Sequence, residues 1–329
     1  MNRSAVPPPV TMVLDAAEVW LPRRMAAVEE RLAALVGGHG GGLGAEAAAT
    51  LAAGGKRLRP MLVLLCAGPE AGDGAEGAAT AVELVHMATL VHDDVLDAAP
   101  LRRGHPTVVA RAGRDAATAV GDLMFSRAFA ELANGDAGAE RRVRLLAGAS
   151  VGLAEGELAQ RRDAYDTAIG AERYLERCRL KTARLFECAC LIGTDATPDD
   201  RRGEALAKFG REIGLAFQLL DDVLDVAGPA ERTGKARGTD LLDGTVTLPL
   251  ILAREHDPAL AEIDLRALNP AAAEAACDRI AATGVLDRVR ADARERVERA
   301  KRALRTGSLD DQRRELLELV ANGVVERYS

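Results

Sequence analysis

Aromatic side chains are scarce in this chain. Among 329 residues there are one Trp, three Tyr and five Phe, 3% in all. Ala, Leu and Val must therefore fill the core, which suits close-packed helices better than sheets. Basic charge is not in excess either. The balance of 43 Lys and Arg against 50 Asp and Glu leaves a net −7, with no general attraction for nucleic acid or anionic lipid. The five Cys are odd in number and form no CxxC pair, which argues against a disulfide framework or a zinc site and places the chain in a reducing cytoplasm. No uninterrupted apolar run is long enough to span a bilayer. The opening MNRSAVPPPVTMVLD has no apolar stretch followed by a cleavage site, and reads as a disordered lead over residues 1–15.

What remains is helical. Apolar residues make up 48% and charged residues 28%, the balance of a folded domain. From Val13 onward, amphipathic stretches alternate with glycine-rich breaks such as GGHGGG at Gly37–Gly42. Helices are expected over 16–36, 45–53, 60–67, 75–97, 115–134, 140–163, 171–191, 201–226, 247–255, 271–281, 286–304 and 309–326. No window alternates with period two, and no linker divides the chain. The fold class is therefore all-α, with residues 16–329 as a single domain.

The pentapeptide DDVLD occurs twice, at Asp93–Asp97 and Asp221–Asp225, each time after a mostly apolar run. Residues four apart share a helical face, so Asp93 and Asp97 project together, as do Asp221 and Asp225. Like charges this close repel unless a cation sits between them. Mg²⁺ takes one or two carboxylates and completes its shell with substrate phosphates. One such cluster reads equally well as a solvated helix end. Two copies inside apolar helices favour a Mg²⁺–diphosphate site.

Basic residues surround these motifs. GGKRLRP places Lys56, Arg57 and Arg59 between a Gly pair and a helix start, which is either an anion site or a solvated turn. Arg102 and Arg103 follow the first aspartate cluster and are placed to bridge to the same phosphate. Lys181, Thr182 and Lys235 are individually weak signals. His86 precedes Asp93 by seven residues on nearly the same face, and a lone His is more often a core residue than a ligand. His92 and His105 read as ordinary structural residues.

In this order the motifs resemble the trans-polyprenyl diphosphate synthases of the isoprenyl diphosphate synthase family, medium- to long-chain type. The stretches that carry the resemblance are GGKRLRP, ELVHMATLVHDDVLDAAPLRRGHPT, VGDLMFSRAF, LAEGE, KTARLFE, FQLLDDVLD and GKARGTDLLDGTVTLPLI, spread over residues 54–251. The resemblance implies a single-domain helical bundle around a deep central cavity, usually a homodimer. It implies head-to-tail condensation of isopentenyl diphosphate onto an allylic diphosphate such as farnesyl or geranylgeranyl diphosphate, with several Mg²⁺ ions. It makes Asp93, Asp97 and Asp221 metal ligands, with Asp222 and Asp225 supporting the metal shell. It assigns Arg102, Lys181, Thr182, Gln218 and Lys235 to the allylic diphosphate. Lys56, Arg59, His86 and Arg103 fall to isopentenyl diphosphate. It also implies a cytoplasmic enzyme that visits the membrane surface during product release.

One departure stands out. The family usually has a second lysine in the stretch before TLP, where this chain has Gly244-Thr245, so somewhat weaker diphosphate binding is expected. Competing readings are a class I terpene cyclase, a shorter-chain synthase of the same family, a non-catalytic partner subunit and a helical scaffold. The second DDVLD disfavours the cyclase, whose second motif mixes Asn, Ser and Glu. Intact aspartates disfavour the subunit and the scaffold.

Short-chain members close their pocket with an aromatic residue near the first motif. Here Ala88 and Thr89 stand one turn before Asp93, with Val85 next, and none is aromatic. A product of roughly C30 to C50 is expected, long enough to need a deep apolar pocket and suited to quinone side chains. Ala88→Phe is expected to shorten the product in mass analysis of the chains formed; an unchanged distribution would mean that Ala88 does not face the growing chain.

Overall fold

The structure, a computed structural model, describes residues 8–17, 19–133, 138–195, 197, 200–228 and 237–326. Helices dominate: α1 (Pro8–Ala16), α2 (Trp20–Gly37), α3 (Gly41–Ala52), α4 (Leu58–Ala67), α5 (Gly74–Leu96), α6 (Val108–Ala133), α7 (Ala139–Arg162), α8 (Ala171–Cys178), α9 (Arg184–Ile192) and α10 (Arg201–Ala227). After these come α11 (Thr239–Leu242), α12 (Leu248–Ala253), α13 (Pro258–Ala261), α14 (Pro270–Ala282), α15 (Val285–Thr306) and α16 (Asp311–Glu326).

Helix α5 is the central element, buried on almost every face from Ala75 to Val95. It packs on α6, α4 and α2, and α10 packs on α15 and α9. Small residues permit these close approaches. A Cβ at Gly210 would lie 2.6 Å from the Phe186 carbonyl oxygen, and one at Gly214 would lie 2.6 Å from the Ala183 Cα. The few rings are spent where packing is tightest: Tyr174, Phe186 and Phe209 are among the largest fully buried side chains. Asp200 caps α10 by accepting from Gly203 N–H at 2.7 Å, and Asn269 caps α14 by accepting from Ala272 N–H at 2.9 Å.

Four features depart from the sequence expectations. First, the disordered lead does not extend to residue 15: Pro8–Ala16 is helical, α1 packs on α16, and Val13 is buried. Proline lacks an N–H, and the first turn of a helix needs none. Residues 1–7 lie outside the described residues. Second, α6 starts seven residues before the expected Asp115 and kinks at Gly113, which adopts φ 85°. Third, a two-stranded hairpin, β1 (Leu101–Arg102) with β2 (His105–Pro106), stands in the otherwise helical chain. Its turn residues Arg103 and Gly104 both have positive φ, 53° and 78°, as a two-residue hairpin turn needs.

Fourth, the helix expected over 171–191 is interrupted by a π-helical turn at Arg179–Ala183. Such turns bulge a helix outward, often at functional sites. This one carries Lys181 and Thr182 and packs on α7 at Gly156. A Cβ at Gly156 would lie 2.5 Å from the Lys181 backbone nitrogen. Gly156→Ala is therefore expected to cost about 1–3 kcal/mol of stability by overpacking. A lowered thermal midpoint would show that the two backbones meet this closely; an unchanged midpoint would refute it.

Candidate active site

Helices α5, α7, α8 and α10, the π turn and the loop after α11 enclose a cavity of about 310 Å³. Asp93 and Asp97 face it from α5 and Asp221 from α10, so the two DDVLD copies meet across one space. Arg59, His86, Thr89, Lys181, Thr182, Gln218 and Asp222 also line it. The first copy sits at the end of α5, where Asp97 N–H closes the last turn onto the Asp93 carbonyl at 2.8 Å.

The repulsion between Asp93 and Asp97 is offset by protein cations. Lys181 Nζ lies 3.9 Å from Asp93 and is ion-paired with Glu157. Arg161 Nη2 lies 2.5 Å from Asp97, and its Nε lies 2.9 Å from Glu157. Glu157 thus links the two cations, and charges alternate from Asp93 through Lys181, Glu157 and Arg161 to Asp97. Burial still dominates Asp93, pushing its carboxyl up to about 6 despite Lys181.

On α10, Asp222 is fully engaged. Tyr174 OH donates to its Oδ2 at 2.5 Å and Gln218 Nε2 to its Oδ1 at 2.7 Å, while Thr182 Oγ1 donates to Gln218 Oε1 at 2.7 Å. Burial pushes the Asp222 carboxyl up to about 7. Asp225 lies away from the cavity lining and accepts from Asp240 N–H at 3.3 Å. Among the described residues no group of three or more His, Cys, Asp or Glu converges as a metal cage. The donor set nevertheless suits Mg²⁺. Asp93, Asp97 and Asp221 offer hard oxygens into one cavity, and Mg²⁺ needs only one or two carboxylates when phosphate oxygens complete its shell.

Of the residues expected at isopentenyl diphosphate, Arg59 on α4 and His86 on α5 line the cavity. Arg103, in the hairpin turn, is within electrostatic reach of both but lines a separate recess, where its Nη1 donates to the Gly54 carbonyl. Lys56 stands in the α3–α4 loop and is not on the cavity wall. Arg57, in the left-handed region at φ 50°, is instead consumed by ion pairs to Glu29 at 2.7 Å and Glu83 at 2.9 Å. Arg59 stacks its guanidinium over the Phe186 ring, 4.4 Å from the centroid, and its buried Nε has no hydrogen-bond partner. Burial lowers it to about 10. Burial, followed by Arg59 and Arg103, pushes the His86 imidazole well below its usual value and keeps it neutral.

Other expected residues lie elsewhere. Arg102 points into a small separate recess and pairs with Asp94 at 2.7 Å, so it must release Asp94 to reach the cavity. Ala88 and Val85 are completely buried in the core and do not line the cavity, whereas their α5 neighbours His86, Thr89 and Leu90 do. Lys235 lies outside the described residues. Glu157, Arg161, Tyr174, Asp240 and Asp243 were not expected. Glu157 stands in the LAEGE stretch, and Arg161 follows it by four residues on the same helical face, a spacing that marks an ion pair.

The polyprenyl synthetase family matches residues 43–281. Heptaprenyl diphosphate synthase component 2 of Geobacillus stearothermophilus is 40% identical over 255 residues, covering 77% of this chain and 79% of the relative. Octaprenyl diphosphate synthase of Escherichia coli is 40% identical over 209 residues, covering 62% of this chain and 63% of the relative. Among solved structures, a polyprenyl synthase from Caulobacter crescentus, complexed with calcium and isoprenyl diphosphate, superposes with a TM-score of 0.86 at 34% identity. The overlap is 96% of this chain and 98% of that one.

The neutral His86 has a consequence for stability. Its folded value lies below the unfolded value of about 6.5, so under acid the unfolded chain takes up a proton that the folded chain does not. Stability from this group is present above pH 6.5 and is lost as pH falls through it, by at most about 1.4 kcal/mol per pH unit. His86→Gln is expected to lose less thermal stability between about pH 7 and pH 5 than the parent protein. Equal slopes in the two melting series would show that His86 protonates freely in the fold.

Proposed function

The chain belongs to the polyprenyl synthetase family, and from that premise we propose that it elongates an allylic diphosphate with isopentenyl diphosphate, head to tail, to an all-trans polyprenyl diphosphate of medium to long chain length. It is a prenyltransferase. The observation that carries this reading is the meeting of both aspartate motifs, with Lys181, across one cavity.

Asp93, Asp97 and Asp221 would hold Mg²⁺, with Asp222 and Asp225 behind Asp221. The bound ions would neutralise charge on the departing diphosphate. Asp222 holds Gln218 through one oxygen, and Gln218 in turn accepts from Thr182, so two polar side chains are fixed in place before substrate enters. Lys181 adds a cation on the α5 side, and Lys235 is assigned the same task by resemblance. Arg102 would join them after leaving Asp94. Lys56, Arg59, Arg103 and the neutral His86 orient isopentenyl diphosphate so that its double bond meets the allylic carbon as the carbon–oxygen bond breaks. The new carbon–carbon bond leaves a tertiary cation, and the proton it loses goes to an oxygen of the released diphosphate. Leu90, Leu153, Leu185 and Phe217 line the cavity and keep water from the cation.

The product length we assign is roughly C30 to C50, supported by the absence of an aromatic on the α5 wall and by the heptaprenyl and octaprenyl names of the relatives. The tail would grow past Thr89 into the packing around Ala88 and Val85. We place the enzyme in the cytoplasm as a homodimer. Among the described residues no helix is long and apolar enough to cross a membrane. A second reading, a catalytic subunit that needs a different partner chain, is favoured by the name "component 2" of one relative.

Incubating the purified chain with farnesyl or geranylgeranyl diphosphate, labelled isopentenyl diphosphate and Mg²⁺ tests all of this by mass analysis. Linear products longer than the primer by several isoprene units are expected, and chelation should abolish them. Products that carry no label indicate a cyclase, products extended by a single unit indicate a shorter-chain enzyme, and incorporation only after a second chain is added indicates the subunit.

A further inference from the structure

The loop of Gly244 and Thr245 is tied to the end of α7. Tyr165 N–H donates to the Gly244 carbonyl at 2.8 Å, and a Cβ at Gly244 would lie 2.5 Å from the Tyr165 ring. Thr245 lines the cavity, held by its N–H to the Asp240 carbonyl at 2.7 Å, and offers no charge there. Arg161 stands one turn before this junction on α7, also on the cavity wall. Its guanidinium is held from two sides, by Glu157 on Nε at 2.9 Å and by Asp97 on Nη2 at 2.5 Å. Among the described residues its Nη1 makes no hydrogen bond, and the side chain is 40% exposed. Lys181 is the corresponding cation at Asp93, and it too is anchored by Glu157.

We propose that Arg161 is a diphosphate-binding residue, supplying from α7 the positive charge that Thr245 does not supply from the neighbouring loop. This assignment rests on the prenyl-transfer reading above. When a cation engages Asp97, that carboxylate no longer needs Arg161 for neutralisation. Glu157 keeps the guanidinium oriented, and Nη1 and Nη2 are then presented to phosphate oxygens, which a planar fork binds in bidentate fashion. Glu157 is a positioning residue for Arg161 and Lys181 alike.

Titration calorimetry of inorganic pyrophosphate with Mg²⁺ into the full chain tests the assignment. Arg161→Gln is expected to weaken pyrophosphate binding about tenfold or more, the loss of a hydrogen bond between charged groups. The same variant should raise the allylic KM by a similar factor and change kcat less. Adding Thr245→Lys to Arg161→Gln puts a cation back on the same wall and should restore most of the affinity. Pyrophosphate affinity in Arg161→Gln that equals or exceeds the parent value overturns the proposal, because Arg161 would then only shield Asp97. If Arg161→Gln loses its helical circular dichroism, Arg161→Met, which keeps the aliphatic stem, decides in its place by the same criterion. A parent chain that neither binds pyrophosphate nor elongates defeats the prenyl-transfer reading itself. A parent that does both beside an unaffected variant defeats only the role of Arg161.

Discussion

The repulsion between Asp93 and Asp97 organises the cavity. Two carboxylates one helical turn apart, at the end of a buried helix, require positive charge nearby. The chain places Lys181 by one and Arg161 by the other, then uses Glu157 to keep the two cations from repelling each other. Neither cation can be brought there by α5 itself. Lys181 arrives because the helix following α8 bulges into a π turn, and Arg161 because α7 runs alongside. The resulting row of alternating charge brings each aspartate its counter-charge from a different element.

That arrangement depends on small residues. Gly156 lets α7 approach the Lys181 backbone, while Gly214 lets α10 approach the end of the π turn at Ala183 and Gly210 lets it approach α9. Larger side chains at these positions would push Lys181 and Thr182 back from the two aspartate motifs. The scarcity of rings follows the same logic. The fully buried rings are Tyr174, Phe186 and Phe209, and Tyr174 also holds Asp222. Its hydroxyl hydrogen bond lets a carboxyl stay buried beside Asp221 with both of its oxygens satisfied. The two DDVLD copies are identical in sequence but differ in setting: one ends its helix, while the other lies within α10 and has one aspartate turned inward to Tyr174.

Most of the helices and the pairing of the two motifs were legible in the chain, because hydrophobic period and repeated carboxylates are local signals. The repeated DDVLD, its apolar flanks, GGKRLRP and KTARLFE sufficed to mark the diphosphate chemistry. The π turn, the Gly113 kink and the 101–106 hairpin were not legible. Each is a backbone departure whose cause lies in packing against another element or in one residue with positive φ. Composition and periodicity by themselves determined an all-helical chain with two acidic clusters and several basic ones. Which cation meets which aspartate was decided only in the folded structure, where Arg57 is consumed by Glu29 and Glu83, Arg102 by Asp94, and Arg161 reaches Asp97. Partners in an ion pair are set by three-dimensional distance, and sequence spacing reports that distance only when both residues share one helix.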